Sequence, residues 1–327
     1  MSADSKTREG GSQKSSLRCR AHGAFADWLA GSGGSLVVST YTTGKLVLVS
    51  THQGRVRFRT RKFPRPMGLA LHRQDLALAV QKKILLFRDR GAGEFTLEQE
   101  FATGKVDGHD VAFGRRGIFF ANTRFNCIAR AAPDKRFLRN WLPPFVPRSA
   151  RRDHCHLNGL GMQAGRPAMV TAFCATDQPG GWRAADRFTK GVLISVADNR
   201  VVARGLCMPH SPRWHEGRWW LCNSGHGMLC TFDEQLGRCE EFCALPGFTR
   251  GLCLVGNHAL VGLSKFREKH ILDAPPVRVR DAKLMAGVAL VELGTCRQIG
   301  ALEFVRGGRE VYEVVFLPGV PRPNVVS

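Results

Sequence analysis

Three histidines stand in comparable settings along the chain: His109 in "DGHDVAF" (107–113), His156 in "HCHLNGLGM" (154–162) and His210 in "PHSPRWH" (209–215). Imidazole is a ligand for zinc, iron, copper or nickel, so three such rings brought together would hold a divalent transition metal. Asp110 or Glu310 would supply a carboxylate to the same ion. In an extended chain residues two apart share a face, so His154 and His156 point one way and Cys155 the other. That pair alone does not decide between a metal site and a strand entrance held by backbone hydrogen bonds. The arginines offer a second chemistry. Arg183, Arg213, Arg250 and Arg267 are guanidinium forks suited to an anionic ligand, and Asn158 and Asp177 would fix a polar one. Both readings stay open at this point, a metal-assisted site and a metal-free site for a polar or anionic small molecule.

Several classes are excluded by what is missing. There is no G-x-S-x-G elbow, P-loop, H-E-x-x-H or dinucleotide fingerprint. No apolar run reaches the length of a membrane-spanning helix. The first sixteen residues, "MSADSKTREGGSQKSS", lack an apolar signal core. The expectation is a cytoplasmic protein with a polar N-terminal arm and no membrane contact. Eleven cysteines occur without a C-x-x-C pair, and their apolar neighbours suggest buried thiols. The formal net charge of +21 points to polyanions. The basic residues are scattered, however, apart from "RVRFRTRKFPR" (55–65) and "RVRDAK" (278–283). Only non-specific nucleic-acid binding is expected from them.

The elements that must position these residues repeat. "RPMGLAL", "DGHDVAF", "CHLNGLGM", "PHSPRWH", "FTRGLCL" and "VYEVVFL" share a form, a polar or special residue followed by apolar ones. Their spacings of 42, 49, 53, 39 and 62 residues fit a unit of four strands. After each of the first five come three short runs rich in β-branched and aromatic residues, bounded by Gly, Asp, Asn or Pro. The last has no successors, while "SLVVST", "KLVLVS" and "RVRFRT" near the N-terminus have no leader. Joined, they complete a sixth unit, as in a β-propeller closed by strands from both ends of the chain. The reading is an all-β, six-bladed propeller over residues 24–319, with an arm at 1–23, a tail at 320–327 and one short helix at 24–31. Two stacked β-sandwiches are the alternative. In a propeller the residues ahead of each innermost strand collect at the channel mouth, which gathers His109, His156, His210, Asp110, Asn158, Arg213, Arg250 and Glu310. The loops between second and third strands open on the same face and add Asp177, Arg183 and Arg267.

Taken in order over residues 35–319, "STYTTGKL", "RPMGLAL", "DGHDVAF", "ANTRFNC", "HCHLNGL", "TAFCATDQPGGWR", "GLCMPHSPRWH", "CNSGHG", "LPGFTRGL", "VGLSKFRE" and "EVYEVVFLPG" resemble a family of uncharacterised bacterial proteins, a domain-of-unknown-function group. The resemblance implies a propeller-like fold and carries no activity, cofactor or catalytic residue. An Arg usually stands in that family where this chain has His154, and a Thr-like residue where it has His226, so these two are the weaker ligand candidates. Two functions follow: a His/Arg-lined small-molecule site, metal-dependent or not, at the channel mouth, or a protein- or carbohydrate-binding platform on the propeller rim.

Overall fold

The structure, a computed structural model, describes residues 17–184, 186–265, 275–281 and 283–326. These residues form six sheets, each built on four antiparallel strands from the axis outward, and two of them carry a fifth strand at the outer edge. Blade I contains Glu313–Leu317, Ser35–Thr40, Lys45–His52 and Arg55–Lys62; blade II contains Leu69–His72, Asp75–Val80, Lys83–Asp89 and Glu94–Ala102. Blades III, IV, V and VI begin at the axis with Gly108–Gly114, Leu157–Gln163, His210–His215 and Phe248–Val255. Closure is made as the repeat requires: Ser35 pairs with Leu317 and Ser39 with Glu313 in antiparallel register. The first and last parts of the chain thus share blade I, and the ring has no open seam.

Two segments that composition placed outside the propeller belong to its sheets. Arg18–Gly23, expected as part of the arm, pairs antiparallel with Arg297–Arg306 outside blade VI. Asn324–Val326, expected as tail, adds a parallel strand outside blade II. Arg18–Gly23 alternates over only two small apolar residues, Cys19 and Ala21, and Asn324–Val326 is too short to show a period, so pattern alone reveals neither. The predicted helix is present at Phe25–Gly31 and buries Phe25 and Leu29 between blades I and VI.

Apolar side chains fill the gaps between blades. Between I and II lie Leu46, Leu48, Leu69, Leu78, Phe87 and Leu317; between V and VI lie Trp220, Leu229, Leu252, Val261 and Val291. Near the axis the strands converge and space runs out. A Cβ on Gly159 would sit 2.2 Å from Thr171 Oγ1 and 2.5 Å from Pro212 Cδ of the next blade, so only glycine lets blades IV and V meet there. The innermost strands also begin with an irregularity. Arg65, Asp107, His156 and Ser211 have φ of 52°, 50°, 53° and 53°, and Gly251 has 79°. Register slips at Leu157/Gly159, His210/Arg213 and Thr249/Leu252 mark the resulting bulges. A bulge re-aims the side chains next to it, and at these positions they are the candidate site residues.

All eleven cysteines are free. Burial pushes the Cys207 and Cys222 thiols up to about 12, which keeps them protonated and unreactive. No helix among the described residues is long and apolar enough to cross a membrane.

Candidate functional site: a clasp and a collar in the channel

Halfway along the channel the innermost strands are tied together by charge. Arg213 of blade V meets Asp110 of blade III through two parallel bonds, Nη1 to Oδ2 at 2.9 Å and Nη2 to Oδ1 at 3.1 Å. Its Nη2 also donates to Glu313 Oε2 of blade I at 2.9 Å. The remaining donors reach the carbonyls of Leu252, Leu160 and Pro212. The carboxylates in turn accept from backbone, Asp110 from Val111 and Leu160 and Glu313 from Leu252 and Val314. Five of the six blades join in this clasp. Two acids share one cation, and burial together with Asp110 outweighs Arg213, raising the Glu313 carboxyl to about 8. Every guanidinium donor is used, so Arg213 and Asp110 are occupied structurally and are not free to bind a ligand. This corrects their place among the expected ligand-binding residues.

Above the clasp, at the mouth, aromatic rings form a collar. Successive centroids lie 5.5 Å apart from Tyr312 to His109, 4.8 Å to His156, 4.5 Å to Phe173, 5.3 Å to His210 and 5.6 Å to Phe248. Arg250, two residues after Phe248, lies flat over Tyr312 with Cζ 3.3 Å from the ring centroid. Tyr41 stacks on the outer side of Tyr312 at 5.8 Å. The chain has two tyrosines, and both are here. Trp182, from the long loop of blade IV, covers His156 at 4.2 Å and carries Arg183 on its other face at 3.9 Å.

The three histidines are held in one tautomer. His109 Nδ1 is 3.0 Å from the Asp107 carbonyl and 2.7 Å from Thr123 Oγ1, whose own hydroxyl donates to Leu157. His210 Nδ1 is 3.0 Å from the Met208 carbonyl and 2.9 Å from Ser224 Oγ. A carbonyl only accepts, so the proton sits on Nδ1 in both. His156 donates from Nδ1 to Asp153 Oδ2 at 2.9 Å, while Asp153 Oδ1 accepts the His156 backbone N–H at 2.8 Å. In each ring Nε2 is left as a lone-pair acceptor. Burial, then the neighbouring His156 and Arg250, lower the pKa of His109; burial, then Arg250, His109 and His156, lower that of His210. Both stay neutral near pH 7. His156 differs in having a carboxylate, Asp153, behind it.

The rings do not converge on one point. Phe173 stands between His156 and His210, and among the described residues no group of three His, Cys, Asp or Glu side chains is arranged to hold a metal ion. What the mouth does contain is unused polar capacity. Arg250 Nη2, Tyr312 Oη and His210 Nε2 are buried and have no hydrogen-bond partner. Burial pushes the Tyr312 phenol up, so it remains a donor.

The other expected residues divide. Asn158 is a strand-entrance brace, donating to the His156 carbonyl and accepting from Thr171. Asp177 is exposed and uses its carbonyl to accept from His154. His154 is therefore a structural residue. Glu310 is half-buried two residues before Tyr312. Arg267 lies outside the described residues. Tyr312, Asp153, Phe173 and Phe248 are absent from the expected ligand set. The scarcity of tyrosine was the available signal for Tyr312, and an Asp three residues before a histidine at a strand entrance was the signal for Asp153. At the opposite end of the channel, a cavity of about 590 Å³ is walled by Leu71, Phe113, Met162, Trp214, Leu254 and Phe316 and reaches the clasp at Arg213.

A profile of the family described as Domain of unknown function (DUF4915) matches residues 23–326. No curated protein matches the sequence. Among solved structures, the chain is similar to one in a crystal structure of a nidogen/laminin complex, with TM-score 0.56 and 10% identity, covering 88% of this chain and 99% of that one. It is also similar to a protein of unknown function from Bacteroides caccae, with TM-score 0.54 and 10% identity, covering 87% and 98%. Likeness at this identity shows a shared fold and nothing about ligands.

Proposed function

Because the chain belongs to the family described as a domain of unknown function, its chemistry has to be sought in the channel mouth, and we propose that the collar binds a small anionic molecule bearing hydroxyl groups. The observation that carries this reading is the set of three buried polar atoms without partners, Arg250 Nη2, Tyr312 Oη and His210 Nε2. Buried polar groups are nearly always satisfied, and an unsatisfied one costs about 1–3 kcal/mol. A ligand that meets all three recovers that cost. Its anionic group fits the guanidinium, and its hydroxyls fit the imidazole Nε2 acceptors, which need donors. The ring faces of Trp182, Phe173 and Tyr312 suit the C–H faces of a compact carbon skeleton. No metal is required, since Arg250 supplies the positive charge. The rim-platform alternative draws less support. Of the exposed large apolar residues among those described, Leu97 and Val326 share the outer edge of blade II, while Leu236, Val279 and Val305 come from other blades and loops, so they form no extended patch.

The test is calorimetry with a panel of hydroxycarboxylates, each matched to the uncharged polyol of the same length. The acids are expected to bind and the polyols not. Arg250→Gln is expected to weaken binding at least tenfold, about 1.4 kcal/mol. Equal binding of acids and polyols, or an unchanged Arg250→Gln protein, would overturn the reading.

A further inference from the structure

The outermost strand of blade I, Arg55–Lys62, reads RVRFRTRK and alternates exposed and half-buried residues. Its exposed positions Arg55, Arg57, Arg59 and Arg61 lie on one face, the face their partners His52, Ser50, Leu48 and Leu46 share. The alternate residues Val56 and Phe58 pack inward against the core between blades I and VI. Four guanidinium groups therefore form a straight row on a sheet edge that has no further strand beyond it. Arg61 is anchored, donating to the Val325 carbonyl and to Asn324 Oδ1. Arg55, Arg57 and Arg59 make no hydrogen bond or ion pair among the described residues.

The row is not neutralised within the sheet. No acid faces it across the pair: the partners of Arg55, Arg57, Arg59 and Arg61 are His52, Ser50, Leu48 and Leu46. On the outer strands of other blades several cations are matched instead: Lys83 with Glu100, Arg90 with Glu98 and Arg238 with Glu240. Guarding a sheet edge against pairing needs only a charge or two, and the row exceeds that.

We propose that this strand is a binding edge for the phosphate backbone of double-stranded nucleic acid, read without regard to sequence. Residues two apart in an antiparallel strand are about 6.8 Å apart, which is two steps of about 3.4 Å along one strand of a duplex. The four arginines span about 20 Å along the edge, long enough to meet several phosphates where a duplex backbone crosses it. A planar anionic surface fits less well, because the neighbouring outer strand of blade II presents Glu94, Glu98 and Glu100 on its exposed side. A rod lying along blade I avoids them. Single-stranded binding would call for exposed aromatic rings to stack the bases, and the large exposed apolar residues among those described include no aromatic one. The edge is remote from the channel mouth, so this inference stands independently of the ligand reading above.

The experiment is fluorescence anisotropy with a labelled duplex of about 20 base pairs in scrambled sequence, over a series of salt concentrations. Each neutralised phosphate contributes about 0.9 to the slope of log K against log salt. Arg55→Gln, Arg57→Gln and Arg59→Gln together are expected to reduce that slope by about 2.7, and the corresponding Lys triple to restore most of it. A charge-reversed Glu triple keeps the edge protected from strand pairing and is expected to abolish binding. Neutralising three exposed arginines elsewhere, Arg115, Arg200 and Arg204, is expected to leave the slope nearly unchanged. Equal losses from the two Gln triples would show diffuse attraction and overturn the proposal. So would binding to phosphatidylserine vesicles that depends on the row when duplex binding does not.

Discussion

Replacing Arg213 with methionine leaves Asp110 and Glu313, each 3% exposed at the side chain, without a cation among the described residues. Breaking a buried ion pair by removing one partner costs about 3–5 kcal/mol. The lower channel cavity of about 590 Å³ reaches this point, and the Arg213 side chain is 23% exposed. Water can therefore enter beside the carboxylates, which places the expected loss near the lower end, about 3 kcal/mol. The loss depends on pH. Without the guanidinium, the Glu313 carboxyl, already raised by burial, is raised further above its unfolded value. An acid raised in the folded state stabilises it below the unfolded pKa and loses that contribution as pH rises through the folded one. The deficit of Arg213→Met is thus smaller at pH 5 than at pH 8. Urea denaturation at both pH values measures it. A loss below about 1 kcal/mol, or one equal at the two pH values, would refute the view that this arginine is a clasp.

In the intact protein Glu313 is raised to about 8, so its contribution to stability should decline as pH rises from about 4.5 to about 8. Denaturation of the Glu313→Gln protein should lack this slope, and a wild-type slope that survives the substitution would assign it elsewhere. His109 and His210 are lowered from 6.5, so the folded state binds fewer protons there and loses stability as pH falls below about 6.5. Nitrogen NMR should show both rings neutral, protonated at Nδ1, at pH 6.5; an imidazolium signal from either would contradict the tautomer assignment. Deleting the innermost strand Glu313–Leu317 exposes the edge of Ser35–Thr40, and the product should aggregate. A soluble product with unchanged melting would refute the closure.

The propeller was legible because its unit is local: four short apolar runs between turn residues recur, and the unmatched pieces at the two ends complement each other. The added outer strands Arg18–Gly23 and Asn324–Val326 were not, since their pairing partners are distant and they carry only two small apolar residues or are three residues long. His109, His156 and His210 lie near one another because equivalent strand entrances sit side by side in a ring. Their spacing around it was beyond a pattern argument. Phe173 follows a second strand rather than leading a first, and only the packed structure sets its ring between His156 and His210. Asp110 and Arg213 looked like ligand groups because a buried ion pair and a binding site draw on the same residue types. Their separation by 103 positions of sequence, with seven strands between, hid that they meet at 2.9 Å.

The account rests on the mouth of the channel holding an anion, and a crystal structure of the protein soaked with the tightest-binding hydroxycarboxylate tests that most directly. It should show the carboxylate on Arg250, and ligand oxygens within hydrogen-bond distance of Tyr312 Oη and His210 Nε2. Density for the acid at another location, or these three atoms bonded to protein groups with the collar closed over them, would contradict it.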